Sequence, residues 1–369
     1  MWEQSFIEFL FYCLYLSFFL QLFYAYSFLK LSFYKKSAKN HIEGVSVIIC
    51  AKDESSNLSR NLESFLEQDF PLYEVIVVDD QSIDGSRYIL KDFSKRYSHL
   101  NVVTIEENVN HRIGKKFALT IGIKTAKYDQ LLLTDADCKP SSDQWIKTMS
   151  SNFDDKEIVL GYSPYKKQNG FLNILIRFDA FQTALQYFSA SLHLIPYMGV
   201  GRNLAYKKSL FFKVKGFASH IHISSGDDDL FIKDIANRRN TSIEIDHKSH
   251  VISDPKTSWE DWVFQKRRHL STSFMYKLHH KILLALWPFS LFIFWISSIC
   301  LFILSYNILT LYIIVLFRII LFYLVYYKSM RVLRSFDLYL IYPFIEIVYV
   351  VLQLFFVLLN LLNKSTKWK

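Results

Sequence analysis

Cysteine is scarce: Cys13, Cys50, Cys138 and Cys300 lie far apart in 369 residues, with no Cys-x-x-Cys among them. The expectation is buried thiols in a reducing compartment. His220, His222, His247 and His250 lack an acid or thiol at a metal-ligand spacing, so zinc is not expected. No Gly-x-Ser-x-Gly elbow and no phosphate-binding loop occur, which speaks against hydrolase and kinase chemistry. Zinc-finger spacing and heptad-bearing basic regions are also missing. The net charge of +9 and pI of about 9.1 therefore point to a membrane surface and phosphorylated substrates, not to nucleic acid. Internal repeats and long disordered linkers are absent as well.

Apolar and aromatic residues are what the chain has in excess: 51% hydrophobic and 17% aromatic, with Phe 33 and Tyr 23, is heavy for a soluble protein. Much of that excess falls in four blocks at residues 6–29, 282–304, 308–327 and 336–362, long enough to span a bilayer. No basic segment precedes the first block and no small-x-small site ends it, so a cleaved signal peptide is not expected. The predicted organisation is an N-terminal transmembrane anchor over 1–30, a middle domain over 31–281 ending in a basic juxtamembrane segment, and a transmembrane region over 282–369. Lys30, Lys35, Lys36 and Lys39 follow the first block, and Lys266, Arg267, Arg268, Lys277 and Lys281 precede the second. Positive flanks place the middle domain in the cytoplasm, and a bacterial inner membrane is the expected setting. Lys328, Arg331 and Arg334 also read as cytoplasmic, whereas Lys364, Lys367 and Lys369 conflict with a simple fourth crossing. Pro343 and Glu346 allow a kinked or re-entrant last segment, and Arg318 should face protein or water because a charge against lipid is expensive.

In the middle domain short apolar runs alternate with helical patterns. Val45-Ser46-Val47-Ile48-Ile49-Cys50 leads through Asp53-Glu54 into a helix marked by Leu58, Leu62, Phe65 and Leu66. Glu74-Val75-Ile76-Val77-Val78 ends in Asp79-Asp80-Gln81-Ser82-Ile83-Asp84, Val102-Val103-Thr104-Ile105 follows, and a Lys-rich helix from about Lys115 precedes Leu131-Leu132-Leu133-Thr134-Asp135-Ala136-Asp137. Such alternation predicts an α/β domain with a mostly parallel sheet, whose ligands lie at the carboxyl ends of the strands. The acids all fall at those ends. Strand alternation would put Asp135 and Asp137 on one side with Ala136 pointing away, an arrangement suited to Mg²⁺ or Mn²⁺ with a diphosphate. A lone Asp-x-Asp is more often a turn or strand cap, and Asp53 and Asp84 could be loop or cap residues.

Taken in order, Asp53-Glu54, Val77-Val78-Asp79-Asp80, Asp135-Ala136-Asp137, Gly226-Asp227-Asp228-Asp229-Leu230 and Gln265-Lys266-Arg267-Arg268-His269 resemble the family 2 glycosyltransferases over roughly residues 44–275. The resemblance implies a GT-A fold for nucleotide sugars, with transfer by inversion and no covalent enzyme intermediate. By position it implies Asp53 and Asp80 at the nucleotide base, Asp135 near the ribose and Asp137 as metal ligand. It implies Asp227 as general base, or Asp228 if the Gly-Asp-Asp pattern of some membrane synthases is the better match, with Asp229 as a cap or scaffold acid. Gln265 and Arg268 match the Gln-x-x-Arg-Trp motif of membrane-embedded members, in which the arginine holds the diphosphate. His269 stands where the family has Trp, which removes a stacking surface and weighs against a processive polymer synthase.

Physical chemistry is compatible with these roles. Carboxylates accept hydrogen bonds from an imide or a ribose hydroxyl, and a planar guanidinium suits phosphate oxygens. Pro196-Tyr197-Met198-Gly199-Val200-Gly201-Arg202-Asn203 reads as acceptor-side backbone, while Lys115 and Lys116 read as exposed helix lysines or phosphate contacts. The expected enzyme is a membrane-anchored, hexosyltransferase-like glycosyltransferase using a UDP-sugar and a lipid-linked or membrane-delivered glycan acceptor. The alternatives are a non-catalytic membrane sensor or binding protein for a nucleotide sugar, and a transporter hinted at by Arg318 and Glu346.

Overall fold

A computed structural model describes residues 2–35, 43–106, 114–223 and 225–362. Lys36, Lys39, Ser224, Lys364, Lys367 and Lys369 lie outside the described residues. In chain order come α1 (Trp2–Ser32), β1 (Val45–Ala51), α2 (Ser55–Leu66), β2 (Tyr73–Asp80), α3 (Ser86–Arg96), β3 (Leu100–Ile105) and α4 (Lys115–Thr125). Next are β4 (Gln130–Asp135), β5 (Cys138–Pro140), α5 (Trp145–Ser150), β6 (Ile158–Leu160), α6 (Phe171–Leu192), β7 (Leu204–Lys207), α7 (Lys208–Lys213) and α8 (Asp229–Ile235). The chain closes with β8 (Thr241–Ile243), β9 (Val251–Ser253), α9 (Trp259–Ser273), α10 (Leu278–Ile303), α11 (Ile308–Val332) and α12 (Tyr342–Leu362).

These elements form two compact units. Among the described residues, one comprises 2–34, 170–189 and 258–362, and the other comprises 35, 43–106, 114–169, 190–223 and 225–257. Helix α9 and nearly all of α6 thus belong with the long apolar helices, although both lie within residues 31–281.

The sheet unit is built on a seven-stranded sheet in the order β3-β2-β1-β4-β7-β6-β8, with β5 and β9 paired separately. β1 lies parallel to both β2 and β4, and β3 is parallel to β2. Burial on both faces explains why β1 and β4 read as near-continuous apolar runs instead of alternating ones. Val47, Ile49, Val75, Val77 and Leu132 from the strands pack with Leu58, Leu62 and Phe65 of α2 and with Trp145. Helix α4 comes close to the other face because of Gly122, where a Cβ would stand 2.8 Å from Ile48 Cγ2. β7 runs antiparallel to β4. Its start therefore lies at the edge where β1, β2 and β4 end.

One local expectation fails. β4 stops at Asp135, and Ala136-Asp137 form a turn before β5, so the turn and not strand alternation sets the direction of Asp137. Ala136 is buried and the two acids are half-buried. The thiols are also less buried than expected: Cys138 is buried, but Cys13, Cys50 and Cys300 are partly exposed.

In the helix unit, four helices are long and apolar enough to cross a membrane: Gln4–Ser32, Leu278–Ile303, Ile308–Val332 and Tyr342–Leu362. Leu10 and Leu14 of α1 pack with Phe294 and Leu301 of α10 and with Leu311 and Ile314 of α11. Arg318 does face protein: it is fully buried, 2.6 Å from Glu346 Oε2, and its Nε donates to Gln21 Oε1 at 2.7 Å. Pro343 sits in the first turn of α12, where a missing N–H breaks no helical bond, so the 21-residue helix continues without interruption. Lys266 of α9 donates to both oxygens of Asp179 on α6, at 2.7 and 2.8 Å.

Candidate active site

Asp53, Asp79, Asp80, Asp84, Asp135 and Asp137 lie at or just beyond the carboxyl ends of β1, β2 and β4. Strand register sets Cys50 opposite Asp135 and Ala51 opposite Asp79, so the loops after these strands are neighbours. Asp53, at φ 54°, donates its N–H to Ser82 Oγ at 3.0 Å and accepts the Ile83 N–H at 2.8 Å, tying the first loop to the second. Asp79 is committed to structure, pairing with Arg87 Nε at 3.0 Å and accepting the Ser82 N–H at 3.1 Å. Asp80 is different: it is buried, and its Oδ1 has no hydrogen-bond partner. Burial pushes its carboxyl up, against the pull of Lys52. Burial also raises Asp84, but hydrogen bonds from the Ser86 hydroxyl and the Ser55 and Ser86 N–H groups outweigh it and hold the group at about 2. Asp84 is therefore a loop-closing acid.

Lys115 joins the two acidic segments. Its Nζ is 2.9 Å from Asp135 Oδ1 and 2.9 Å from Asp227 Oδ2. Burial alone would lower this ammonium, yet Asp135 and then Asp227 raise it well above the ordinary lysine value. Lys116 turns the other way and donates to the carbonyls of His220 and Ile223 at 2.7 and 3.0 Å, anchoring the approach to the acidic run. Neither lysine is an exposed helix residue as expected. The clue in the sequence is their position in the first turn of α4, where the helix dipole disfavours cations unless acids face them.

Gly226, at φ 90°, turns the chain into the acidic run. The cap of α8 is Asp228, not Asp229: its Oδ1 accepts the Asp229 N–H at 2.7 Å, and its Oδ2 accepts the Gly201 N–H at 2.8 Å. Burial, followed by repulsion from Asp227 and Asp229, pushes Asp228 up to about 7. Asp229 is buried and accepts the Leu230 N–H at 2.7 Å, in keeping with a scaffold acid. A pocket lined by Lys115, Thr134, Asp135, Gly201, Asp227 and Asp228 opens between these groups.

Asp137 lies in the turn after β4. Burial and then the charge of Asp135 raise its carboxyl, while the Cys138 thiol donates to Oδ1 at 3.2 Å. Among the described residues no group of three or more His, Cys, Asp or Glu side chains could hold a metal by itself. Asp135 and Asp137 offer carboxylate oxygens, the donor type that Mg²⁺ and Mn²⁺ take together with phosphate oxygens and water.

Gln265 and Arg268 lie on α9, in the helix unit. Two neighbours there have structural partners: Lys266 pairs with Asp179, and Arg267 donates to Asn360 Oδ1 at 3.2 Å. His269 is exposed. Arg202, in the Gly201–Asn203 turn before β7, stacks on Tyr165 with Cζ 4.2 Å from the ring centroid.

The family model for Glycosyl transferase family 2 matches residues 46–216. The poly-beta-1,6-N-acetyl-D-glucosamine synthase of Staphylococcus epidermidis is 34% identical over 102 residues, covering 28% of this chain and 24% of that protein. Glycosyltransferase AglE of Haloferax volcanii is 30% identical over 193 residues, covering 50% of this chain and 58% of AglE. The chain thus spans a quarter to three-fifths of the length of these relatives. In fold, the mannosyltransferase PcManGT of Pyrobaculum calidifontis, solved with GDP-Man and Mn²⁺, superposes at a TM-score of 0.62 and 18% identity, covering 97% of this chain and 100% of that one. Residues 46–216 thus match the family 2 glycosyltransferase model, the sheet unit has a GT-A-like fold that places Asp80, Asp135 and Asp137 at its strand ends, and four described helices are long and apolar enough to cross a membrane.

Proposed function

We propose that this protein is an inverting glycosyltransferase that moves a sugar from a nucleoside-diphosphate sugar, a UDP-sugar by preference, to a lipid-linked or glycan acceptor at the membrane. The observation that carries the reading is the double contact of Lys115, which draws the Asp135 turn and the Asp227 loop to one pocket at the strand ends. Donor-binding acids and a base must meet at one anomeric carbon, and this contact brings their candidates together.

Asp53 and Asp80 take the nucleotide base, with the open, buried Oδ1 of Asp80 available to a base N–H. Asp135 accepts from the ribose, and Asp137 holds the cation. Bound there, Mg²⁺ or Mn²⁺ would offset charge on the departing diphosphate. Gln265 and Arg268 serve the diphosphate, the guanidinium offering a planar pair of donors. Asp227 removes the proton from the acceptor hydroxyl as its oxygen attacks the anomeric carbon. It suits this better than Asp228, because both oxygens of Asp228 hold backbone N–H groups. The sheet unit lies on the cytoplasmic side, where nucleotide sugars are supplied, and the setting is a bacterial inner membrane.

The test is a panel of UDP- and GDP-sugars with Mg²⁺ or Mn²⁺, scored for protection against unfolding, for released diphosphate and for the product anomer. A ligand at a hundred times its dissociation constant adds about 2.7 kcal/mol of stability. Protection without turnover would turn the reading to a sensor, and no protection by any sugar nucleotide would end it. A single cysteine at Ser258 that reacts with an impermeant thiol reagent in intact cells would reverse the orientation.

A further inference from the structure

We propose that Arg202 binds an oxygen of the donor diphosphate, giving the sheet unit a phosphate-holding cation of its own beside Asp137. The inference rests on the glycosyl-transfer reading and adds a residue to it. β7 is antiparallel to β4 with Leu204 opposite Leu133, so the turn before β7 reaches the edge where β4 ends. Thr134 Oγ1 donates to the Arg202 carbonyl at 2.9 Å and fixes the turn there. The guanidinium lies over Tyr165 at 4.2 Å, an orientation that immobilises its plane. Its Nη1 is buried and makes no hydrogen bond.

A buried donor without an acceptor is costly and calls for a partner. Lys115 and Lys116 are already engaged, the first by Asp135 and Asp227, the second by two carbonyls. Arg202 keeps an open N–H at the end of β4, the strand from which the Asp137 turn follows. A diphosphate suits both features, since one anion can meet a guanidinium fork and a hard cation together.

The test uses the full chain in detergent with Mg²⁺ and compares UDP with uridine, and GDP with guanosine, in wild type, Arg202→Gln and Arg202→Lys. Calorimetry reads the diphosphates and ligand-observed NMR reads the nucleosides. Arg202→Gln is expected to weaken the nucleoside diphosphate by about tenfold or more, the scale of a charge-assisted hydrogen bond, and to leave the nucleoside within about twofold. Arg202→Lys should fall between, because it keeps the charge and loses the fork. An equal loss for diphosphate and nucleoside, or an unchanged diphosphate affinity, overturns the proposal. If Arg202→Gln shows no cooperative unfolding, the ratio in Arg202→Lys decides. Failure of wild type to bind either diphosphate would instead strike the donor-site reading, an outcome visible before any variant is compared.

Discussion

Arg318 and Lys115 are both cations held away from water, but their surroundings differ. In the helix unit each buried cation has its own carboxylate: Arg318 with Glu346, Lys266 with Asp179, and Arg177 with Asp337. At the strand ends of the sheet unit, Lys115 faces Asp135 and Asp227 together, with Asp137 and Asp228 beside them and both pushed above the usual carboxylate range. One-to-one pairing suits a group whose task is packing. A surplus of acid is costly to hold unless something positive joins it, which supports the cation site proposed at Asp137.

The largest expected effect tests that surplus directly. Asp137→Ala should cut transfer by about 10³-fold or more and weaken donor binding mainly when Mg²⁺ or Mn²⁺ is present. Donor titrations with and without metal check it, and full activity with equal affinity would remove Asp137 from the site. Next comes the balanced side of the comparison. Arg318→Leu leaves Glu346 buried alone and should cost about 3–5 kcal/mol, read by unfolding in detergent, with much of the loss recovered in the double variant Arg318→Leu, Glu346→Leu. If the double variant is as unstable as the single, the pair does more than balance charge.

Asp227→Asn should slow single-turnover transfer by about 10²-fold or more with donor binding preserved, the usual scale for a lost general base. Run beside it, Asp229→Asn should mainly alter stability. A collapse confined to Asp228→Asn would move the base by one residue, and near-normal rates in all three would discard this base. The smallest effect is on pH dependence. The folded Asp228 keeps a proton up to about 7 that the unfolded chain releases near 3.8, so its contribution to stability falls as pH rises through that window. Asp228→Asn should flatten that part of the melting-temperature profile. An unchanged slope would mean that Asp228 is not the group responsible.

What the sequence revealed follows the same division. Buried parallel strands announce themselves as apolar runs, so β1, β2 and β4 and the acids at their ends were legible, as were four membrane-length blocks. The need of Arg318 for a partner was legible too, because lipid offers none. Lys115 was not, since its partners Asp135 and Asp227 are distant in sequence and only the sheet brings them together. β7 is four residues long and antiparallel, too short to carry a period, so the approach of Arg202 to the end of β4 was hidden. Asp228 and Asp229 look alike in sequence; which one caps α8 depends on the Gly201 N–H. The assignment of α6 and α9 to the helix unit reflects pairs such as Lys266 with Asp179, which no local pattern reports.

Gln21 on α1 has its partners far along the chain: it accepts from Arg318 and donates to the Ser290 carbonyl at 3.2 Å. Roughly 250 residues separate α1 from α10, tens of seconds of synthesis at ordinary translation rates. During that interval α1 would sit in the bilayer with a bare amide, and the whole sheet unit would emerge before the partner helices exist. The helix unit can close only after the intervening sheet unit has been made. A chain truncated before α11 is therefore expected to keep a folded sheet unit while Gln21 of α1 lacks its Arg318 partner.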